Sequence, residues 1–162
     1  MREILFRGKT VRGEWVYGYL AKFRNFVNNV YTSIIQITDF ETNECNMQDN
    51  ACVIPESVGQ YTGLIDKNGK KIFEGDIIRA ITLDTGSEEI AVVCFGNFID
   101  ENNGDEYIGF YIEFDGIKTT ATQLAMKECK NRIEVIGNEY DNKELIGKWA
   151  NIKDWLKERN ME

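Results

Sequence analysis

The chain contains no histidine. Ser–His and Cys–His nucleophilic pairs are therefore impossible, and no imidazole is available to a metal. It has four cysteines, Cys45, Cys52, Cys94 and Cys129, and no Cys-x-x-Cys pair among them. Tetrahedral zinc sites need closely spaced ligands, so no metal and no cofactor are expected, and free thiols in a reducing cytosol are the simpler reading. Only one proline, Pro55, interrupts the chain. No apolar run approaches the roughly 20 residues that cross a bilayer. The opening residues, Met1 to Arg7, are too few and too charged for a signal peptide, so a cytoplasmic protein is expected.

What is present is a globular balance: 162 residues, of which 43% are hydrophobic and 28% charged. Three Trp, seven Tyr and nine Phe supply the apolar surface of a real core. Formal net charge is −8, and it is unevenly spread. Residues 1–62 carry six Lys/Arg against seven Asp/Glu, residues 63–140 eight against fifteen, and residues 141–162 five against five. An acidic middle repels phosphate backbones and works against non-specific nucleic-acid binding.

The β-prone runs are Glu3–Arg7, Trp15–Leu20, Val30–Thr38, Ile77–Leu83, Glu89–Phe95, Glu106–Phe114 and Ile133–Ile136. Residues 24–29 have the composition of a hairpin tip, and Asp39–Asn50 of a loop or irregular edge. Asn68-Gly69 is a type I′ turn signal, since both residues tolerate positive φ. Asp84–Ser87 and Asp115-Gly116 mark further turns, and Asp100–Asp105 reads as a polar loop. Thr122–Lys130 is ambiguous. From Lys143 to Glu158, Leu145, Ile146, Trp149, Ile152, Trp155 and Leu156 fall at helical spacing, with Asn142 as N-cap and Gly147 as a break. Turns about every ten residues predict a small barrel or rolled sheet in the middle. The fold expected is mainly β: a β-rich part over 1–60, a small barrel-like (SH3-like) part over 61–140 and a helical segment over 141–162.

Four patterns invite chemistry. Asp84-Thr85-Gly86-Ser87 follows an apolar strand as in aspartic proteases, and Val135–Asn138 resembles their downstream apolar-apolar-Gly element; two such aspartates would have to share one proton. An ordinary hairpin turn explains the first more simply, and Glu88 and Glu89 suit solvent better than a buried dyad. Asp100–Glu106 invites a calcium reading. Counted from Asp100, however, Gly104 falls at the fifth position rather than the sixth, and Tyr111 stands where the twelfth needs a carboxylate. Lys67, Lys70 and Lys71 form the densest basic spot, without the Gly-rich spacing into a helix that cradles phosphate. Phe95, Phe98, Tyr107, Phe110, Tyr111 and Phe114 would serve as a stacking face or, more commonly for aromatics at strand spacing, as core. No catalytic, cofactor-binding or metal-ligating residue emerges from these patterns.

The stretches from Tyr61 to Ile78 and from Glu134 to Leu145, with the opening Arg2–Arg7, resemble the YopX-like family of phage and prophage proteins. The resemblance implies a β-rich fold with a barrel-like second half and an origin in Gram-positive phage or prophage DNA. It implies no catalytic residues. Within the first stretch, Gly63, Gly69 and Gly75 recur every six residues and are expected at three chain reversals, with Leu64, Ile72 and Ile77 packed beneath. The function expected is that of a non-enzymatic accessory protein acting by protein–protein contact, itself among its partners. The alternatives are a nucleic-acid-associated small barrel and an enzyme, either of the aspartic type using Asp84 or with another carboxylate site.

Overall fold

A computed structural model describes residues 3–24, 30–39, 44–81, 88–114, 116–120 and 132–146, with side chains described outside 23–50. Eleven strands run β1 Phe6–Lys9, β2 Trp15–Arg24, β3 Val30–Asp39, β4 Glu44–Cys52, β5 Gly59–Ile65, β6 Lys71–Phe73, β7 Asp76–Ile81, β8 Glu88–Ile99, β9 Glu106–Phe114, β10 Ile117–Thr120 and β11 Ile133–Asn138. They form two antiparallel sheets, and the mainly-β class is confirmed. The chain divides into two compact units, 1–63 and 64–162.

In the first unit the strand order is β4-β3-β2-β1-β5, and β5 runs on to pair with β6. Strands β2 and β3 form a hairpin closed by Arg24 opposite Val30. The segment expected as a loop or irregular edge contains β4, an edge strand whose register against β3 shifts twice. Such shifts accommodate a strand of weak β-propensity in the ladder. Gly8 is fixed by a close approach, because a Cβ there would lie 2.9 Å from the Val53 side chain. Ser57, buried in the 3-10 turn Pro55–Ser57, accepts from the Lys9 backbone N–H at 2.7 Å and donates to the Ile54 carbonyl at 2.6 Å. The Arg7 guanidinium lies over the Trp15 ring, 5.0 Å from its centre.

In the second unit the sheet order is β10-β9-β8-β7-β11. One face carries the core: Ile78, Ala91, Val93, Ile112, Ile133 and Val135, covered by Ile72 and Leu64. These residues come from alternate positions of each strand, the period of 2 that places every second side chain on one face. Ile72 and Ile77 are fully buried as expected from the sequence. The closed barrel suggested by the regular turns is not formed. β10 and β11 are the two edges, and no ladder joins them among the described residues. The chain after β8 does return to the outer side of β10, where Glu101 N–H donates to the Lys118 carbonyl at 3.1 Å. β10 itself is a four-residue strand that the sequence reading passed over; it begins with Ile117 paired opposite Phe114, and Gly116 just before it has φ 78°. Among the described residues no helix is long and apolar enough to cross a membrane.

Candidate functional site

The turn at residues 66–70 is built by one carboxylate. Asp66 accepts at Oδ1 from the backbone N–H groups of Asn68 and Lys70, at 2.8 and 2.9 Å. Its Oδ2 accepts from the Val135 N–H at 3.1 Å. Gly69 N–H donates to the Asp66 carbonyl and Asp66 N–H to the Lys70 carbonyl. The loop is therefore Lys67-Asn68-Gly69 with Gly69 at φ 82°, a three-residue loop with a bulge glycine rather than the two-residue turn expected from Asn68-Gly69. The reason is Asp66, whose side chain captures the next backbone donors and adds a residue to the reversal. Burial alone would raise the Asp66 pKa, but the three backbone donors outweigh it and hold the carboxyl below its usual range.

The same junction gathers the rest of the two stretches. Lys67 N–H donates to the Ile133 carbonyl, and Glu139 N–H to that of Gly75. Gly75 has φ 76°, and a Cβ there would meet Glu139 Oε1 at 3.1 Å. Asp76, fully buried, accepts the Phe73 N–H at 2.8 Å. Glu134 receives Lys67 Nζ at 2.8 Å and Arg79 at 2.7 Å. Hydrogen bonds from Lys67 and then Arg79 pull its pKa down to about 2. Asn142 stands just before a helical turn at 143–146, but its Oδ1 accepts from Asn138 N–H at 3.3 Å instead of capping that turn. Gly63 lies within β5 at φ 89°, not at a chain reversal. The junction is held by backbone pairs, by carboxylates that accept backbone N–H groups and by one ion triad, and its chemistry is that of a clasp.

The structure sorts the other sequence candidates. Lys67 of the basic spot is committed to Glu134, whereas Lys70 is exposed. Asp84 and its neighbours, and the apolar positions from Trp149 onward, lie outside the described residues. Asp100 is not a solvated loop carboxylate: it is 4% exposed. Its Oδ1 accepts from Asn102 N–H at 2.9 Å and its Oδ2 from Thr120 N–H at 3.0 Å, and these bonds hold its pKa down. The carboxylate thus ties the loop after β8 to β10.

The aromatic strand positions split between two faces, because β8 and β9 pair without a register shift from Val92–Glu113 to Ile99–Glu106. On one face Phe98 is buried and stacks on Tyr111 at 4.7 Å and on Tyr107 at 5.6 Å. Burial pushes the Tyr111 hydroxyl up to about 12 and the neighbouring Cys94 thiol up to about 11. The other face continues the core. After Ala91 and Val93 come Phe95, Asn97 and Ile99; opposite them, after Phe114 and Ile112, come Phe110, Ile108 and Glu106. Phe95 packs edge-on against Phe110 with ring centres 5.0 Å apart, yet is 49% exposed. Ile99 is 55% and Ile108 78% exposed. Ile99 and Ile108 escaped the sequence reading, which followed aromatics; the strand period of 2 would have found them. This apolar extension, beyond the part of the sheet that the core covers, is the candidate interaction surface.

The family model described as YopX protein matches residues 5–147. The chain belongs to the YopX protein family. The match takes in both stretches that form the clasp, so the YopX resemblance and the Asp66–Val135 junction are the same feature seen in sequence and in space. It also takes in the β8–β9 hairpin. A crystal structure of protein EF1440 from Enterococcus faecalis is similar at 22% identity, over 90% of this chain and 99% of that one, with a TM-score of 0.47. No curated protein matches this chain. In this YopX-family chain, the deep carboxylates Asp66, Asp76 and Asp100 each accept backbone N–H groups, which explains their burial in structural terms.

Proposed function

We propose that this YopX-family chain is a phage or prophage accessory protein that acts by protein–protein contact and performs no catalysis. The observation that carries the reading is the far half of the β8–β9 hairpin. There the core-facing side runs past its cover and leaves Phe95, Ile99 and Ile108 open to solvent. Adjacent exposed apolar side chains on one rigid ladder are the usual mark of a surface that another protein covers. The buried carboxylates, which a catalytic reading would recruit, are occupied by backbone donors instead.

The test is affinity capture from host lysate with the full tagged chain, read by mass spectrometry, beside an Ile108→Ser variant. The expected result is a partner that survives nuclease treatment and is lost with the variant. Partners that vanish on nuclease treatment would move the weight to a nucleic-acid-associated role. Self-association is the second part of the proposal, motivated by the apolar spacing from Leu145 to Leu156. Light scattering that shows a strict monomer would remove that part.

A further inference from the structure

Among the described residues, the exposed charges at the open end of the hairpin are acidic, and Lys118, whose carbonyl accepts from Glu101 N–H, directs its ammonium to Glu113 on the opposite face of β9. Residues 80–117 contain nine Asp/Glu and no Lys or Arg. Glu101, Asp105 and Glu106 stand exposed at the hairpin end, and Glu106 shares the face of Ile108 and Ile99. The loop that carries them is fixed. Asp100 binds Asn102 and Thr120, Asn102 Nδ2 donates to Thr119 Oγ1 at 2.9 Å, and Glu101 N–H is bonded to β10. A loop whose backbone is already tied down beside an apolar face needs little backbone reordering on binding.

We propose that this hairpin face docks a protein segment that carries Lys or Arg beside large apolar side chains; the inference rests on the reading of the same face as a protein-contact surface. Charge complementarity selects this occupant. A second copy of the chain would bring a further formal charge of −8 toward the same acidic rim. Nucleic acid would bring phosphates toward it, and both are opposed at long range. A basic partner is steered in by the rim, and its apolar groups then cover Phe95, Ile99 and Ile108.

The experiment measures binding of the full chain to three labelled synthetic peptides of equal length by fluorescence anisotropy. One alternates Lys and Leu, one replaces each Lys with Gln, and one replaces each Leu with Ser. The Lys/Leu peptide is expected to bind at least about tenfold more tightly than either control, and to weaken as salt rises from about 0.05 to 0.5 M. Phe95→Ser with Ile108→Ser, and separately Glu101→Gln with Glu106→Gln, should each reduce that binding, while Ile4→Ser, an exposed site in the other unit, should not. All these side chains are at least partly exposed, and unchanged melting temperatures for the variants would show that the fold is intact. Equal binding of the Gln/Leu peptide would overturn the basic partner but leave the contact surface standing. Equal binding of the Lys/Ser peptide would reduce the effect to charge alone and overturn the proposal. No binding by any peptide, or binding indifferent to the hairpin variants, would overturn it as well.

Discussion

Replacing Asp66 offers the sharpest test of the clasp. Its carboxylate accepts three backbone N–H groups, two in the turn and one from Val135, 69 residues away. The turn donors belong to exposed residues, so water can take over when the carboxylate is removed. The Val135 donor belongs to a residue that is 8% exposed and sits in the core cluster, where a lost partner is not replaced. Asp66→Ala is therefore expected to cost about 3–4 kcal/mol: about 2–3 for the stranded buried donor and about 0.5 for each turn donor. Asp66→Asn keeps an oxygen for the turn but turns an NH2 toward the Val135 N–H, so it should cost about 2 kcal/mol. The assay is urea unfolding at pH 7 followed by circular dichroism, with hydrogen exchange at the Val135 amide as the local probe. Asp66 has a lowered folded-state pKa, so its contribution is fully present above the usual aspartate value of 3.8 and is lost as pH falls through the lower folded-state value. The gap between wild type and Asp66→Ala should then close in acid. An Asn variant as stable as wild type at pH 7, with Val135 still protected, would refute the reasoning.

Three further outcomes are expected. Gly75→Val should destabilise by about 1–2 kcal/mol more than Gly69→Val, because both glycines have positive φ but only at Gly75 would a Cβ press on Glu139; equal midpoints in denaturant would contradict this. Glu134→Gln should lower the melting temperature above pH 4.5 and lose its effect as pH falls through about 2, since the depressed pKa comes from Lys67 and Arg79; a variant that melts like wild type at neutral pH and low salt would count against the ion triad. A thiol reagent at pH 8 should label the exposed Cys52 quickly and Cys94 only after unfolding, because burial and the nearby glutamates Glu113 and Glu139 push the Cys94 thiol up to about 11; mass spectrometry that shows fast labelling at Cys94 in the folded chain would reverse that assignment.

Much of the β architecture was legible because strong local propensity decided it. β9 lies where the aromatic run Glu106–Phe114 placed it, and β3 begins at Val30. The less legible parts were set at a distance. Lys118-Thr119-Thr120 carries little strand signal alone; β10 forms by pairing along β9, from Ile117 opposite Phe114 to Thr120 opposite Tyr111. β4, polar and weak in propensity, is drawn into the sheet by β3. The loop at Asn68-Gly69 was misread because the competing acceptor, Asp66, lies just outside the two-residue signal. Asp100 counted as solvent-facing by composition, yet its partners on β10 lie about 20 residues onward and could not be read locally. The candidate surface was legible only in part. The aromatics pointed to the hairpin, but which side of it stays open depends on where the covering residues Leu64 and Ile72 stop.

The position of β11 constrains how the second unit comes into being. β7 waits for a partner roughly 55 residues further along the chain, with β8, β9 and β10 intervening. The Asp66 clasp closes over a still longer interval. Contacts of such high sequence separation pay loop-closure entropy before they return any stabilisation, and they fall late on a folding path. During synthesis the β7–β10 ladder can zip as successive hairpins, but one edge of β7 stays bare, and the Asp66 carboxylate lacks its third donor, until residue 138 has been made. An unpaired edge beside an apolar face is the species most prone to pair with a neighbouring nascent chain. Closing the clasp is then the point at which that edge stops being available to strangers.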